Sequence, residues 1–141
     1  NKYTLRGLHR QVEHDQQKVI KAVNGSFNVR VIKPKDVDYA GEPENYSFKN
    51  NLDDGSIVYG FEDYNAKSDF TIFVPKGYLL GYVALENNSK MLYIADNEFV
   101  AENDETFNAF DPRFNIDWGL NENAEINMSE KDKHAPYYEN N

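Results

Sequence analysis

The sequence predicts an all-β chain folded as an antiparallel sandwich or barrel, and three observations lead there. Short runs rich in Val, Ile, Tyr and Phe recur at 56–61, 70–74, 82–85 and 91–95, divided by Lys67-Ser68-Asp69, Pro75-Lys76-Gly77 and Asn87-Asn88. No long stretch keeps the apolar periodicity of a helix. The third observation is the span 17–33, where apolar and polar residues alternate on both sides of Asn24-Gly25, a dipeptide that accepts positive φ.

Taken in chain order, residues 5–11 form a β-like run in which alternate side chains share a face. Gly7, His9 and Gln11 are then expected to look one way, and Arg6 and Leu8 the other. The 17–33 span is expected to be a tight hairpin, with Val19, Ala22 or Val23, Phe27, Val29 and Val31 buried and Lys21, Asn28 and Arg30 turned elsewhere. From 34 to 55 the breaks at Pro34, Gly41, Pro43, Asn50-Asn51 and Asp53-Asp54-Gly55 predict a loop, interrupted by a short strand at 46–48. Phe73, Leu92 and Trp118 are expected to join the core, and 121–141 to run over the surface as irregular polar tail. A single domain over 1–141 is expected, because 141 residues with 40% hydrophobic content support one ordinary core and not two.

Composition excludes several function classes. A net charge of -9 without any Lys/Arg-rich block argues against nucleic-acid binding, which draws on clustered positive charge. With no cysteine there is no disulfide framework, thiolate metal site or thiol nucleophile, while histidine and carboxylate sites stay open. No apolar run approaches the roughly 18 residues that a membrane-spanning helix needs, and the expectation is a soluble protein without a signal segment.

One of the three histidines, His9, lies in the first strand-like run. Taken alone, a strand histidine is more often an ordinary surface group, Lys18 and Asp132 are more often solvated charges, and Tyr93 is more often core. Their setting changes that weighting. The stretch from Arg6 to Gln11 resembles the Arg-Gly-Leu-His-x-Gln signature of the dTDP-4-dehydrorhamnose 3,5-epimerase family. In the same order, Gln17 to Gly25 is similar to the family strand that begins Gly-Lys-Leu-Val-Arg. The stretch from Pro75 to Tyr82 is similar to its Pro-x-Gly-Phe-Ala-His-Gly-Phe, and Met91-Leu92-Tyr93 to its Phe-Leu-Tyr-Lys. Toward the end, Asn115 to Trp118 resembles Gly-Ile-Asp-Trp, and Met128 to Pro136 resembles Leu-Ser-x-Lys-Asp-x-x-Ala-Pro.

The resemblance implies an antiparallel jelly-roll (cupin-like) barrel that inverts carbons next to the 4-keto group of a nucleotide-linked deoxy sugar. It makes His9 the base, with Asp132 holding its other ring nitrogen, Lys18 the cation that meets charge on the keto oxygen, and Tyr93 the proton donor on the opposite face. Arg6 and Gln11 would bind substrate. The resemblance implies neither cofactor nor metal, no nucleic-acid or membrane partner, a nucleotide-sugar substrate, a homodimer or larger assembly, and a cytoplasmic location.

The sequence also departs from the pattern. Leu80 stands where the family has a second pocket histidine, Leu79 where it has a small alanine, and Asn28 where it has an acidic residue. The family's Arg-Gly-Phe-Phe segment, which contributes substrate contacts and pairs across the dimer, does not occur in this sequence, and an exposed sheet edge is expected. The alternative reading is therefore a catalytically inactive jelly-roll module for carbohydrate binding or structural assembly. A metal-dependent cupin ranks third, because the histidines lack His-x-His spacing.

Overall fold

The computed structural model describes residues 1–12, 16–38, 41–97, 99–121 and 123–138. Among them run β1 (Leu5–Gln11), β2 (Lys18–Asn24), β3 (Ser26–Lys33), β4 (Phe48–Asn51), β5 (Ile57–Asn65), β6 (Ile72–Val74), β7 (Leu79–Ala84), β8 (Lys90–Ala95) and β9 (Asp104–Thr106). A 3-10 turn at Ala101–Asn103 precedes β9, and a one-turn helix, α1 (Glu130–Lys133), lies near the end. The strands form two antiparallel sheets, a six-stranded one in the order β4-β5-β3-β7-β1-β9 and a three-stranded one in the order β6-β2-β8. No described helix is long and apolar enough to cross a membrane.

The sheets face one another over a core of Ile20, Ala22, Phe27, Val29, Val31, Tyr59, Phe61, Ile72 and Val74. On its other face the six-stranded sheet buries Leu5, Leu8, Ile32, Val58, Leu79 and Val83 under Ala109, Phe114, Trp118 and Tyr138. The C-terminal stretch is thus a covering layer rather than a surface tail, held by Tyr138 N–H to Asp111 Oδ2 at 3.0 Å and Trp118 Nε1–H to the Ala109 carbonyl at 3.0 Å. Within the expected tail, residues 122 and 139–141 lie outside the described residues.

This double covering corrects the expected pattern of β3. Seven of its eight residues are buried, Asn28 and Arg30 included, because a central strand with packing on both faces has no solvent side. The polar pair is satisfied locally. Asn28 donates to the Trp118 carbonyl, while Arg30 donates to the Asp117 carbonyl and pairs with Glu62 at 2.7 Å.

The Asn24-Gly25 hairpin is also corrected. Strand β2 pairs with β6 and β8, whereas β3 pairs with β5 and β7, so the dipeptide is a corner where the chain changes sheets. Gly25 has φ +70°, but Asn24 does not share the positive φ that a two-residue hairpin of the expected type requires at both positions. A Cβ on Gly25 would fall 2.2 Å from Ser89 Oγ, so the corner needs glycine for space as well as for conformation.

Strand alternation survives the corner, but the expected burial does not. The inward residues of β2 are Lys18, Ile20 and Ala22, while Val19 and Val23 face out with 38% and 51% exposure. Leu92, expected in the core, is 53% exposed on the same outer face, which lacks a covering layer among the described residues. Phe73 is half-buried there. Phe27, Val29, Val31 and Trp118 are buried as expected, and the short strand expected at 46–48 begins at Phe48 instead.

Candidate active site

At one end of the space between the sheets the core gives way to a cavity of about 410 Å³. Strands β1, β7 and β9 of the larger sheet and β2 and β8 of the smaller one supply most of its wall. Along the inward face of β2, Ala22 is core, Ile20 is both core and cavity wall and Lys18 is cavity wall, so one strand carries the transition. Volume and lining suit a small organic ligand, and several polar groups converge within an apolar surround of Ile20, Leu80, Met91 and Phe99.

Strand β1 brings Arg6, His9 and Gln11 to this cavity, although strict alternation would put Arg6 on the opposite face from the other two. The pairing of β1 with β7 explains the difference, because its register is interrupted between Arg6 and His9. Gly7 lies in that interruption with φ +118°, and a Cβ there would sit 2.6 Å from Gly81 Cα. The glycine pair lets the two strands approach where the first one changes its phase.

His9 stands between two carboxylates. Its Nε2 is 3.0 Å from Asp132 Oδ1, and its Nδ1 is 3.3 Å from Asp104 Oδ2 and 3.0 Å from Thr106 Oγ1. The contact with Asp132 is an ion pair rather than an aligned hydrogen bond, since Oδ1 has no geometrically satisfactory donor among the described residues. Burial works against a charge on His9, but the two aspartates outweigh it and push the imidazole from 6.5 up to about 9. In turn, burial pushes Asp104 up while His9 and Lys131 more than offset it, and the net direction is well below the usual carboxylate range. Asp132 is shifted downward by the same balance, with His9 its main charged partner.

Asp132 reaches the site because α1 is capped. Ser129 Oγ accepts from Asp132 N–H at 3.1 Å, and Gly7 N–H donates to Asp132 Oδ2 at 3.3 Å, which ties the C-terminal layer to β1. Lys18 and Tyr93 line the same cavity from the facing sheet. Burial pulls the Lys18 ammonium below its ordinary value, against a smaller upward pull from Asp104. Tyr93 is 55% exposed at the cavity mouth, on β8 opposite Ile20. Gln11 is buried with its amide engaged: Nε2 donates to Asp104 at 3.5 Å and Oε1 accepts from Val100 N–H at 2.9 Å. That arrangement makes it a support for the 3-10 turn and β9.

The sequence reading thus missed Asp104, Thr106 and Lys131 around His9, and Tyr82 in the cavity wall. The only signal for the first two was their separation by one residue in a polar stretch, a pattern too common to single out. Leu80 lies on β7 directly across from His9 and makes that part of the wall apolar, whereas Leu79 and Asn28 point into the outer layer, away from the cavity. Among the described residues no cluster of three or more His, Asp or Glu side chains is arranged to hold a metal.

Two facing antiparallel sheets that enclose a ligand-sized chamber place the protein among the cupin-like jelly rolls. The chain belongs to the dTDP-4-dehydrorhamnose 3,5-epimerase family, whose pattern matches residues 58–140. It is 31% identical over 140 residues to the dTDP-4-dehydrorhamnose 3,5-epimerase of Mycobacterium tuberculosis, a match covering 96% of this chain and 60% of that protein. The epimerase of Elizabethkingia anophelis superposes with a TM-score of 0.76 at 27% identity, covering 97% of this chain and 67% of that one. A Bacillus anthracis epimerase solved with TDP and PPi bound gives 0.73 at 25% identity, covering 97% and 69%. The chain therefore spans 60% of the length of the Mycobacterium relative.

Proposed function

We propose that this protein is a nucleotide-sugar 3,5-epimerase acting on a 4-keto-6-deoxy sugar linked to a nucleoside diphosphate. The observation that carries the reading is the approach of Asp132 to His9, 123 positions apart in sequence, behind the wall of a cavity that His9, Lys18 and Tyr93 line. In its neutral form, His9 takes a proton from the carbon beside the ketone and the C–H electron pair moves into an enolate. Lys18 meets the negative charge on the enolate oxygen, where low water content strengthens its effect. Tyr93 gives a proton to the carbon from the opposite face, and the resulting phenolate and imidazolium reset by exchange with solvent. Arg6 at the cavity wall suits a substrate diphosphate, in keeping with the TDP bound to the Bacillus anthracis relative. No cofactor is needed for this proton balance.

The same reading places the protein in the cytoplasm, folded as one domain, and pairs it with a second copy. Val19, Val23, Leu92 and Ile94 form an exposed apolar face on the three-stranded sheet, the kind of surface that association covers. A second reading, an inactive jelly roll that binds sugar, is favoured by one observation: Leu80 makes the wall beside His9 apolar.

Incubation with a dTDP-4-keto-6-deoxy sugar in heavy water separates the two. Deuterium is expected to enter at carbon 3 or carbon 5, as followed by mass spectrometry and NMR. Binding without deuterium at either carbon would leave only the sugar-binding module.

A further inference from the structure

Both ring nitrogens of His9 face a carboxylate, and the two carboxylates are held in different ways. Asp132 is 3% exposed and fixed by the Gly7 amide and the capping turn of α1. Asp104 lies on the edge strand β9 and lines the cavity. Its Oδ2 is shared among Lys131 Nζ at 2.7 Å, His9 Nδ1 at 3.3 Å and Thr106 Oγ1 at 3.5 Å, with Lys131 the nearest. A base must offer a bare lone pair to its substrate, and a nitrogen held in close ion-pair contact with a fixed, buried carboxylate is screened from it. Nε2, against Asp132 outside the cavity lining, is thereby assigned the orienting role, and Nδ1, beside the cavity-lining Asp104, the working one.

We infer that Asp104 is a positioning residue for the proton transfer, a carboxylate divided between His9 Nδ1 and Lys131 that sets how firmly the working nitrogen keeps its proton. The inference rests on the epimerase reading of the site. The other groups around His9 are accounted for: Arg6 and Gln11 on β1, Lys18 on β2, Leu80 and Tyr82 on β7, Tyr93 on β8, Thr106 on β9 and Lys131 with Asp132 on α1. Of these, only Asp132 is a second carboxylate in contact with the ring. The position of Asp104 between the histidine and an exposed lysine lets one side chain set how readily His9 accepts a proton.

The test follows the His9 ring proton by NMR across pH in the parent, Asp104→Asn, Asp104→Glu and Lys131→Ala, beside the pH profile of deuterium exchange into the dTDP-4-keto sugar. Asp104→Asn is expected to lower the His9 midpoint by more than about one unit and to move the alkaline limb of exchange with it. Exchange near neutral pH then rises by about tenfold or more, since each unit below the midpoint is a tenfold change in neutral imidazole. Lys131→Ala is expected to raise the midpoint by leaving Asp104 to His9 alone, and Asp104→Glu to return it toward the parent. An unchanged midpoint in Asp104→Asn overturns the inference, as does slower exchange at every pH with no movement of the limb. A parent that exchanges no deuterium at any pH defeats the epimerase reading, while the midpoints still decide whether Asp104 controls His9.

Discussion

The two ends of the space between the sheets share strands β2 and β7 and do opposite things. At one end Phe27, Val29, Phe61 and Ile72 are at most 2% exposed, and their close contact is what holds the sheets together. At the other end the same sheets leave an open cavity with His9, Lys18 and Asp104 in its wall. On β2 the change runs along one face from Ala22 through Ile20, which belongs to both, to Lys18. The packed end fixes the spacing between sheets, and the open end uses that spacing to hold charges that would otherwise relax toward water. Substitutions at the packed end should therefore cost stability with little direct effect on chemistry. Those at the open end should cost rate.

The largest effect expected is on rate. His9→Gln keeps a side-chain donor near Asp132 but removes the base, and deuterium exchange should fall by about a hundred- to ten-thousand-fold, or roughly 3–5 kcal/mol of barrier. If the variant exchanges as fast as the parent, the open end does not perform this chemistry through His9. At the packed end, Phe61→Ala should lower unfolding free energy in urea by about 3–4 kcal/mol, because it empties a site closed on all sides. The exchange rate per folded molecule should stay near that of the parent. A rate loss in the fully folded variant would show that the two ends are coupled.

A smaller effect links charge to stability. His9 is raised from 6.5 to about 9 in the folded protein, so its contribution is fully present below pH 6.5 and is lost as pH rises through about 9. The loss is at most about 3 kcal/mol, reduced by the water that reaches a partly exposed ring. Urea unfolding measured on both sides of this window should show it, and His9→Gln should flatten the curve. A parent that is no less stable above the window would mean that the carboxylates do not hold His9 charged.

The smallest effect is expected on the outer face of the three-stranded sheet. Leu92 is 53% exposed, and Leu92→Ser in the isolated chain should change stability by no more than about 0.5 kcal/mol. If light scattering shows a dimer that this change dissociates, the face is an interface. A strict monomer at high concentration would remove the second copy from the proposal.

Much of this contrast was legible in the residues. Phe27, Val29 and Val31 alternate through a β-favouring run and are core, and the strands near 56–61, 70–74, 82–85 and 91–95 appear close to where they were expected. His9, Lys18, Tyr93 and Asp132 were legible through family motifs, and the structure brings them to one cavity or its immediate edge, their roles resting on the proposed chemistry. Arg6 was placed on the wrong face because a break in register cannot be read from alternation. Leu92 was placed inside because a β-branched and aromatic neighbourhood does not say which face of an alternating strand is covered.

What the sequence by itself determined is local: strand-forming runs, the positions of turns, and the order in which chemically useful side chains occur. Those depend on backbone preference and on the two-residue period, which a short stretch carries within itself. Tertiary structure alone decided that Asn24-Gly25 changes sheets instead of closing a hairpin, that Asn28 and Arg30 are buried, and that Asp104 stands across His9 from Asp132. Each depends on which strand becomes a neighbour and which layer covers it. Those choices are set by the combined burial of residues far apart in the chain, and no stretch of the sequence contains them alone.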